Sequence, residues 1–252
     1  MADIEDMVIV VTGASRGLGR AMAQRFAEEG AKVVLTARNR DDLAEATSAA
    51  SGETIAVPGD VTDEGDVHEV IEEATRVFGR VDTLVNNAAV GMLSLEGEGK
   101  RLVDLTEEDW DVILDTNLKG VFLFTRAVLP GMLERGRGNV VNVTSGLGRG
   151  IMIHGGSAWA PYTVSKWGLE GLTRVTDAEY HEDGINANAL GPGGRARTGF
   201  WDHLPEEELE EILPPDVMND AAVHLAAQGP GGYSGESLDA HEWEARFEKT
   251  EG

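Results

Sequence analysis

Met7-Val8-Ile9-Val10-Val11-Thr12-Gly13-Ala14-Ser15-Arg16-Gly17-Leu18-Gly19 decides how the rest of the chain reads. Met7–Val11 is a short apolar run, rich in β-branched residues and cut off by Thr12-Gly13, the pattern of a strand buried on both faces. Leu18, Met22 and Phe26 then recur at four-residue spacing, so Leu18–Glu29 reads as a helix that stops at Gly30. A buried strand, a turn with three glycines and an amphipathic helix make a βα unit, and the same alternation continues downstream.

Lys32–Thr36 is a second apolar strand, followed by a helix at Asp41–Ala50, a strand at Thr54–Val57, a helix at Gly65–Phe78 and a strand at Val81–Val85. Val90–Leu105 is less regular, and its Glu96-Gly97-Glu98-Gly99 reads as an exposed loop. A long helix is expected over Glu107–Glu134, interrupted near Gly120 and Pro130, then a strand at Asn139–Thr144 and a Gly-rich loop at Gly146–Gly156. Ala160–Glu182 reads as a helix, Ile185–Leu190 as a strand and Gly191–Gly199 as a loop. Helices at Glu206–Ile212 and Val217–Ala227 and a short strand at Ser237–Asp239 complete the pattern. Strands alternating with helices give an α/β fold, a doubly wound parallel sheet with helices on both faces (a Rossmann fold). Neither a repeat nor a linker divides residues 1–252, so one domain is expected.

The 252 residues carry 45 Asp and Glu against 21 Lys and Arg, a formal net charge of −24, with 41% hydrophobic residues. That apolar content supports a folded core rather than an acidic disordered chain. The charge argues against nucleic acid and anionic membrane as partners, since both need Lys and Arg. Only five of the basic residues are lysines, Lys32, Lys100, Lys119, Lys166 and Lys249. An acid excess of this size opposes compaction unless salt screens it, and the composition resembles that of a halophile's cytoplasmic protein. Without cysteine there is no disulfide, thiolate metal site or cysteine nucleophile, and no metal is expected. The acidic start lacks a signal-peptide pattern and no 18-residue apolar run occurs, so a cytoplasmic protein is expected.

The glycine turn has the chemistry to hold a dinucleotide. Gly13, Gly17 and Gly19 let the backbone approach a pyrophosphate, with Ser15 and Leu18 in the same turn, and the following helix presents free N–H groups and a positive dipole end. Thr36-Ala37-Arg38 ends the second strand, where a basic side chain suits a ribose 2′-phosphate. Arg16 could lie opposite Arg38 and supply a second guanidinium, so NADP(H) is the expected cofactor. Tyr162-x-x-x-Lys166 puts a phenol and an ammonium one turn apart on one helix face. Bringing a phenol from about 10 to near 7 requires roughly 4 kcal/mol of differential stabilisation, which a nearby lysine and a nicotinamide charge can supply.

Together these motifs resemble those of the short-chain dehydrogenase/reductase family, over essentially Met7 to Leu238. Thr12–Gly19 matches the family's glycine motif, Asp60-Val61 its adenine-contacting Asp-Val pair, and Asn86-Asn87-Ala88-Ala89 its Asn-Asn-Ala-Gly motif with Ala in the last place. Asn117 in Asp-Thr-Asn-Leu-Lys-Gly, Ser145 in Asn-Val-Thr-Ser, Tyr162 and Lys166 match the family's catalytic set. The resemblance implies that Tyr162 acts as general acid or base, that Ser145 hydrogen-bonds the substrate oxygen, that Lys166 lowers the Tyr162 pKa and binds the nicotinamide ribose, and that Asn117 holds a relaying water. It places Asn87, Pro192 and Gly193 with the cofactor-binding residues.

Two stretches depart from the family pattern. The 17-position interval from Ser145 to Tyr162 is long and contains Met152, His154 and Trp159, which could line a substrate pocket. Pro192-Gly193-Gly194-Arg195-Ala196-Arg197-Thr198 has an extra residue, and its arginines suit either an anionic substrate or a salt-bridged patch against Glu206–Glu211. Residues 195–215 correspond to the variable substrate lid, where Trp201 and Leu204 could cover a substrate. The expected function is an NADP(H)-dependent oxidoreductase acting on a carbonyl or secondary-alcohol small molecule, such as a 3-oxoacyl thioester, a ketone, an aldehyde or a sugar. The resemblance also implies a homo-oligomer, a tetramer or dimer built on the long helices. A non-catalytic dinucleotide-binding regulator and a nucleotide-utilising transferase are the alternatives.

Overall fold

The computed structural model describes residues 3–91, 100–153, 157, 159–201 and 205–243. Glu96–Gly99, His154 and Leu204 lie outside them.

Seven strands form one parallel sheet in the order β3-β2-β1-β4-β5-β6-β7. These are β1 (Val8–Thr12), β2 (Lys32–Thr36), β3 (Thr54–Ala56), β4 (Thr83–Asn86), β5 (Gly138–Val143), β6 (Ile185–Gly191) and β7 (Ser237–Asp239). β1 pairs with β2 on one side and β4 on the other, so the strand order reverses beside the glycine turn. At such a reversal the connections diverge and leave a crevice at the carboxyl ends of the strands.

The uninterrupted apolar reading of β1 follows from burial on both faces. Ile9 and Val11 join one core with Val33, Leu35, Met22 and Phe26, while Val10 joins the other with Val34, Leu84, Val70 and Phe124. Helices α1 (Gly17–Glu28) and α8 (Asn219–Ala226) contribute to the first layer, and α3 (Glu64–Phe78) and α5 (Gly120–Arg135) to the second. α2 (Arg40–Ala49), α4 (Glu107–Leu114), α6 (Ala160–Tyr180) and the four-residue α7 (Glu206–Leu209) complete the helices. The central strands also carry buried asparagines. Asn86 donates to Asn142, Asn142 to Thr173 on α6, and Asn186 to Asn139, tying β4, β5 and β6 across the sheet.

The structure corrects several expected boundaries. The long helix is interrupted by a π-helical turn at Asp115–Lys119, ahead of Gly120, and passes through Pro130 unbroken. Pro130 is exposed, so the carbonyl that loses its helical donor can turn to water. Helix α6 ends at Tyr180 in a 3₁₀ turn. The helix expected to Ile212 stops at Leu209 because the chain is drawn into a bridge between Leu213 and Ala196.

Candidate active site

Thr12 closes the crevice at the strand ends. Its hydroxyl accepts from the backbone N–H groups of Asn87 and Ala88, each at 3.0 Å, while the Asn87 amide donates to the carbonyls of Thr12 (2.9 Å) and Gly13 (3.1 Å). The end of β4 therefore holds the glycine turn in place. Gly13 has φ +63°, and a Cβ there would meet the Ala88 Cα at 2.7 Å, so neither the conformation nor the space admits a side chain. Gly17 is also at positive φ, facing Thr198, and buried Gly19 lies against Asn87. Ser15 and Leu18 are half-buried in the same turn.

The helix that follows differs from its neighbours at the N-terminus. Asn39, Asp63 and Thr106 cap α2, α3 and α4, and each of those first turns is acidic. α1 has no capping side chain and no acidic residue in its first turn. Its leading N–H groups and dipole end are thus left for an external anion.

Arg38, just past β2, is exposed and stands 4.0 Å from Asp60. Both line a cleft of about 630 Å³ with Thr106, Glu107, Glu108, Asp111 and Asp115, so one guanidinium faces several carboxylates. Asp60 is held by the Thr62 amide at 2.9 Å and hydroxyl at 2.8 Å. Val61 is buried against Gly120, where a Cβ would meet it at 2.8 Å. Arg16, expected to lie opposite Arg38, is exposed beside the glycine turn. Its guanidinium lies against Gly199, because the segment after β6 folds down over the glycine turn.

At the other end, one face of α6 grips the end of β5. Tyr162 is hydrogen-bonded to Ser145, the Lys166 ammonium donates to the Val143 carbonyl at 2.8 Å, and Glu170 accepts from the Thr144 hydroxyl at 2.7 Å. The i, i+4, i+8 spacing puts these three side chains on one stripe, opposite three consecutive residues of the strand end. Lys166 is buried, with its ammonium 5.6 Å from the Tyr162 ring centre. Asn117, in the π-helical turn, is also buried; its amide donates to the Val90 carbonyl (2.9 Å) and the Ser165 hydroxyl (3.2 Å), and its oxygen accepts from the Val90 N–H (2.8 Å). The Ser165 hydroxyl in turn donates to the Tyr162 carbonyl at 2.7 Å.

Burial dominates the electrostatics of Tyr162 and Lys166 in the protein without cofactor. Burial pushes the Tyr162 phenol up to about 12, and the Ser145 hydrogen bond only partly offsets it. Burial also brings the Lys166 ammonium down to about 8, with the Glu170 charge acting against the fall. In the protein alone, Tyr162 is a protonated phenol, ready to donate rather than to accept.

Residues 195–201 cover this end. Phe200 meets Tyr162 edge-to-face at 6.1 Å and rests on Gly91. Trp201 lies 6.3 Å from Trp159, with the Arg195 guanidinium 5.5 Å from its ring centre. Arg197 pairs with Glu206 at 3.2 Å, which favours the salt-bridged reading of that arginine. Pro192 follows β6, and Gly193, at φ +80°, lies against His241. Met152 is exposed. The sequence reading missed Glu170 and Phe200: the first shares the helical stripe of Tyr162 and Lys166, whereas no spacing signals the second. Among the described residues, no group of three or more His, Cys, Asp or Glu is arranged to hold a metal, and no helix is long and apolar enough to cross a membrane.

The family model described as short chain dehydrogenase matches residues 7–209. A 3-oxoacyl-[acyl-carrier-protein] reductase of Thermotoga maritima is 36% identical over 213 residues, covering 83% of this chain and 82% of its own. The BbsD subunit of the (2S)-[(R)-hydroxy(phenyl)methyl]succinyl-CoA dehydrogenase of Thauera aromatica is 34% identical over 247 residues, covering 93% and 95%. The crystal structure of a metagenomic short-chain oxidoreductase in complex with NADP superposes with a TM-score of 0.78 at 31% identity, covering 94% of this chain and 97% of that one. The chain belongs to the short-chain dehydrogenase family, whose members named here are oxidoreductases.

Proposed function

We propose that the chain is an NADP(H)-dependent oxidoreductase that interconverts a carbonyl and a secondary alcohol, with residues 1–252 acting as one unit and 195–215 as its substrate lid. The observation that carries this reading is the grip of Tyr162, Lys166 and Glu170 on the strand end bearing Ser145. A regulator that only bound a dinucleotide would gain nothing from a buried lysine beside a buried phenol, since burying the ammonium costs free energy.

The residues present fit a nicotinamide dinucleotide. The uncapped, acid-free start of α1 suits the pyrophosphate, with Gly13, Gly17 and Gly19 giving the close approach and Ser15, Arg16 and Leu18 framing it. Arg38 would take a 2′-phosphate, with Asp60 in the same cleft; Val61, Asn87, which is tied to the glycine turn, Pro192 and Gly193 would complete the cofactor contacts. The complex of a relative with NADP supports the phosphorylated form. When bound, the cofactor supplies or accepts the hydride.

In the reductive direction, the Tyr162 hydroxyl donates its proton to the substrate oxygen while the Ser145 hydroxyl hydrogen-bonds the same oxygen. Lys166 stabilises the phenolate left behind and would hold the nicotinamide ribose when the cofactor is bound. Asn117, fixed by Val90 and Ser165, orients a water on the route by which Tyr162 regains its proton. In the oxidative direction Tyr162 accepts the proton, and there the added positive charge of the oxidised nicotinamide opposes the upward push of burial. Among the expected substrates, a 3-oxoacyl thioester is the one supported by a relative named 3-oxoacyl-[acyl-carrier-protein] reductase and by another named for a hydroxy(phenyl)methylsuccinyl-CoA. The apolar groove of Leu114, Leu118, Phe122, Gly168 and Leu172, with Trp167 half exposed beside it, is the proposed contact for a second copy of the chain.

The test is a carbonyl panel followed at the NADPH absorbance band, with NADH in parallel and at both low and multimolar KCl. NADPH oxidation by the wild-type protein but not by Tyr162→Phe supports the reading. Undiminished turnover by Tyr162→Phe overturns it.

A further inference from the structure

Only three carboxylates among the described residues are buried: Asp82, Asp109 and Glu170. Two of them face a cation, since Arg80 stands 2.8 Å from Asp82 and Lys100 2.6 Å from Asp109. Glu170, 6% exposed, has no ion-pair partner within 4.0 Å among the described residues. What it has are two hydroxyls donating to the same oxygen, Thr144 at 2.7 Å and Ser237 at 2.9 Å. A carboxylate kept in the interior on two neutral hydrogen bonds is costly unless a positive charge lies close by. The one buried cation among the described residues is Lys166, one turn earlier on the same face of α6.

The surroundings show how the carboxylate is held. A Cβ at Gly148 would meet the Thr144 hydroxyl at 2.8 Å and the Glu170 Cγ at 3.2 Å, so this glycine lets the turn after Ser145 close over Glu170. Arg149 and Asp239 pair beside Thr144, joining the same turn to β7, to which Ser237 also belongs. The charged groups nearest Glu170 in the fold are Lys166 one turn before it and the exposed Arg174 one turn after it on α6, and the mutually neutralised Arg149–Asp239 pair beside Thr144, with Tyr162 beyond Lys166.

We propose that Glu170 is a positioning residue that acts through Lys166: its carboxylate keeps the buried lysine charged beside Tyr162, and its links to Thr144 and Ser237 fix the strand end that carries Ser145. The inference rests on the proposed roles of Tyr162 and Lys166, but the state of Lys166 is measurable without turnover. Burial alone lowers Lys166 toward neutrality near physiological pH, and the Glu170 charge opposes that fall.

The five lysines of the chain make the test direct. Lysine labelled with ¹³C at the ε carbon gives few resonances, and Lys166→Arg removes and so assigns one of them. In the wild-type protein that resonance is expected to titrate near 8. In Glu170→Gln its midpoint is expected about one pH unit lower, with the alkaline limb of kcat/KM moving acidward by the same interval. Glu170→Met, close in volume, is a second neutral variant should the amide prevent folding. Ser237→Ala removes a hydrogen bond but keeps the charge, and its midpoint is expected to match wild type. An unchanged midpoint in the neutral variants, with only a lower melting temperature, overturns the proposal, as does an equal shift in Ser237→Ala. A lysine shift in a protein that turns over no carbonyl upholds the electrostatic link and rejects the proposed reaction instead.

Discussion

The two ends of the crevice are built on opposite principles. Around Tyr162 the groups are buried, few and tied to backbone: one phenol, one ammonium, one carboxylate and a strand end held by successive turns of α6. Around Arg38 they are exposed and numerous, with one guanidinium among the carboxylates of Asp60, Glu107, Glu108, Asp111 and Asp115. Low effective dielectric makes each interaction at the first end strong and insensitive to salt, whereas water and ions screen the second. Chemistry that needs a fixed proton belongs at the first, and reversible capture of an anion suits the second.

The sharpest way to break this comparison is Tyr162→Phe, which should lower kcat by about 10²- to 10⁴-fold while leaving cofactor binding nearly intact. A comparable loss of cofactor affinity would show that the buried end also does the capturing. Arg38→Ala should act in the opposite sense, raising the KM for NADP(H) about 10- to 100-fold with little change for NAD(H). Equal effects on both cofactors would remove Arg38 from the 2′-phosphate. Raising KCl from low to multimolar should lower the KM for NADP(H), because screening weakens the carboxylates that repel the dianion, and should raise the melting temperature of so acidic a chain. A flat response in both would refute the proposed adaptation to salt.

Smaller effects refine the boundary. Phe200→Ala removes an edge-to-face ring contact and should change the KM for the carbonyl substrate by less than about tenfold, leaving cofactor KM alone. In the first turn of α4, beside the Arg38 cleft, the Lys100 hydrogen bond, helped by Thr106, holds the buried Asp109 carboxyl down to about 2. The folded value lies below the unfolded 3.8, so this stabilisation is complete above that pH and is lost as pH falls toward 2. Asp109→Asn should therefore flatten the acid-side dependence of stability while leaving the neutral-pH kinetics of Tyr162 unchanged.

What could be read in the sequence was whatever a regular period fixes. Val8–Thr12 announces a doubly buried strand, and a Tyr and a Lys four apart must share a helix face, so both follow from local geometry. Glu170 has the same periodicity, but a glutamate on a helix gives no sign of being buried until β7 is laid over it. Arg16 and Phe200 depend on how the chain after β6 closes, which no spacing encodes: that closure lays the Arg16 guanidinium against Gly199 and Phe200 against Tyr162. A lowered Tyr162 pKa was expected from the lysine and the nicotinamide charge together; in the protein by itself burial pushes the phenol the other way, a burial that no spacing in the sequence reveals.

The wide turn at Asp115–Lys119 alters the phase of everything after it. A π-helical turn takes one residue more than an α-helical one, which rotates the downstream face by about 100° relative to a straight helix. Asn117 is turned toward Val90 and Ser165 at the crevice, while Leu123, Phe124 and Val128 of α5 still meet the sheet-side core. Removing one residue from this turn would regularise the helix and leave it unable to satisfy both: either the asparagine leaves the crevice or the core loses its leucine and phenylalanine. A single extra residue thus lets one continuous rod serve two masters that an ideal helix could not align.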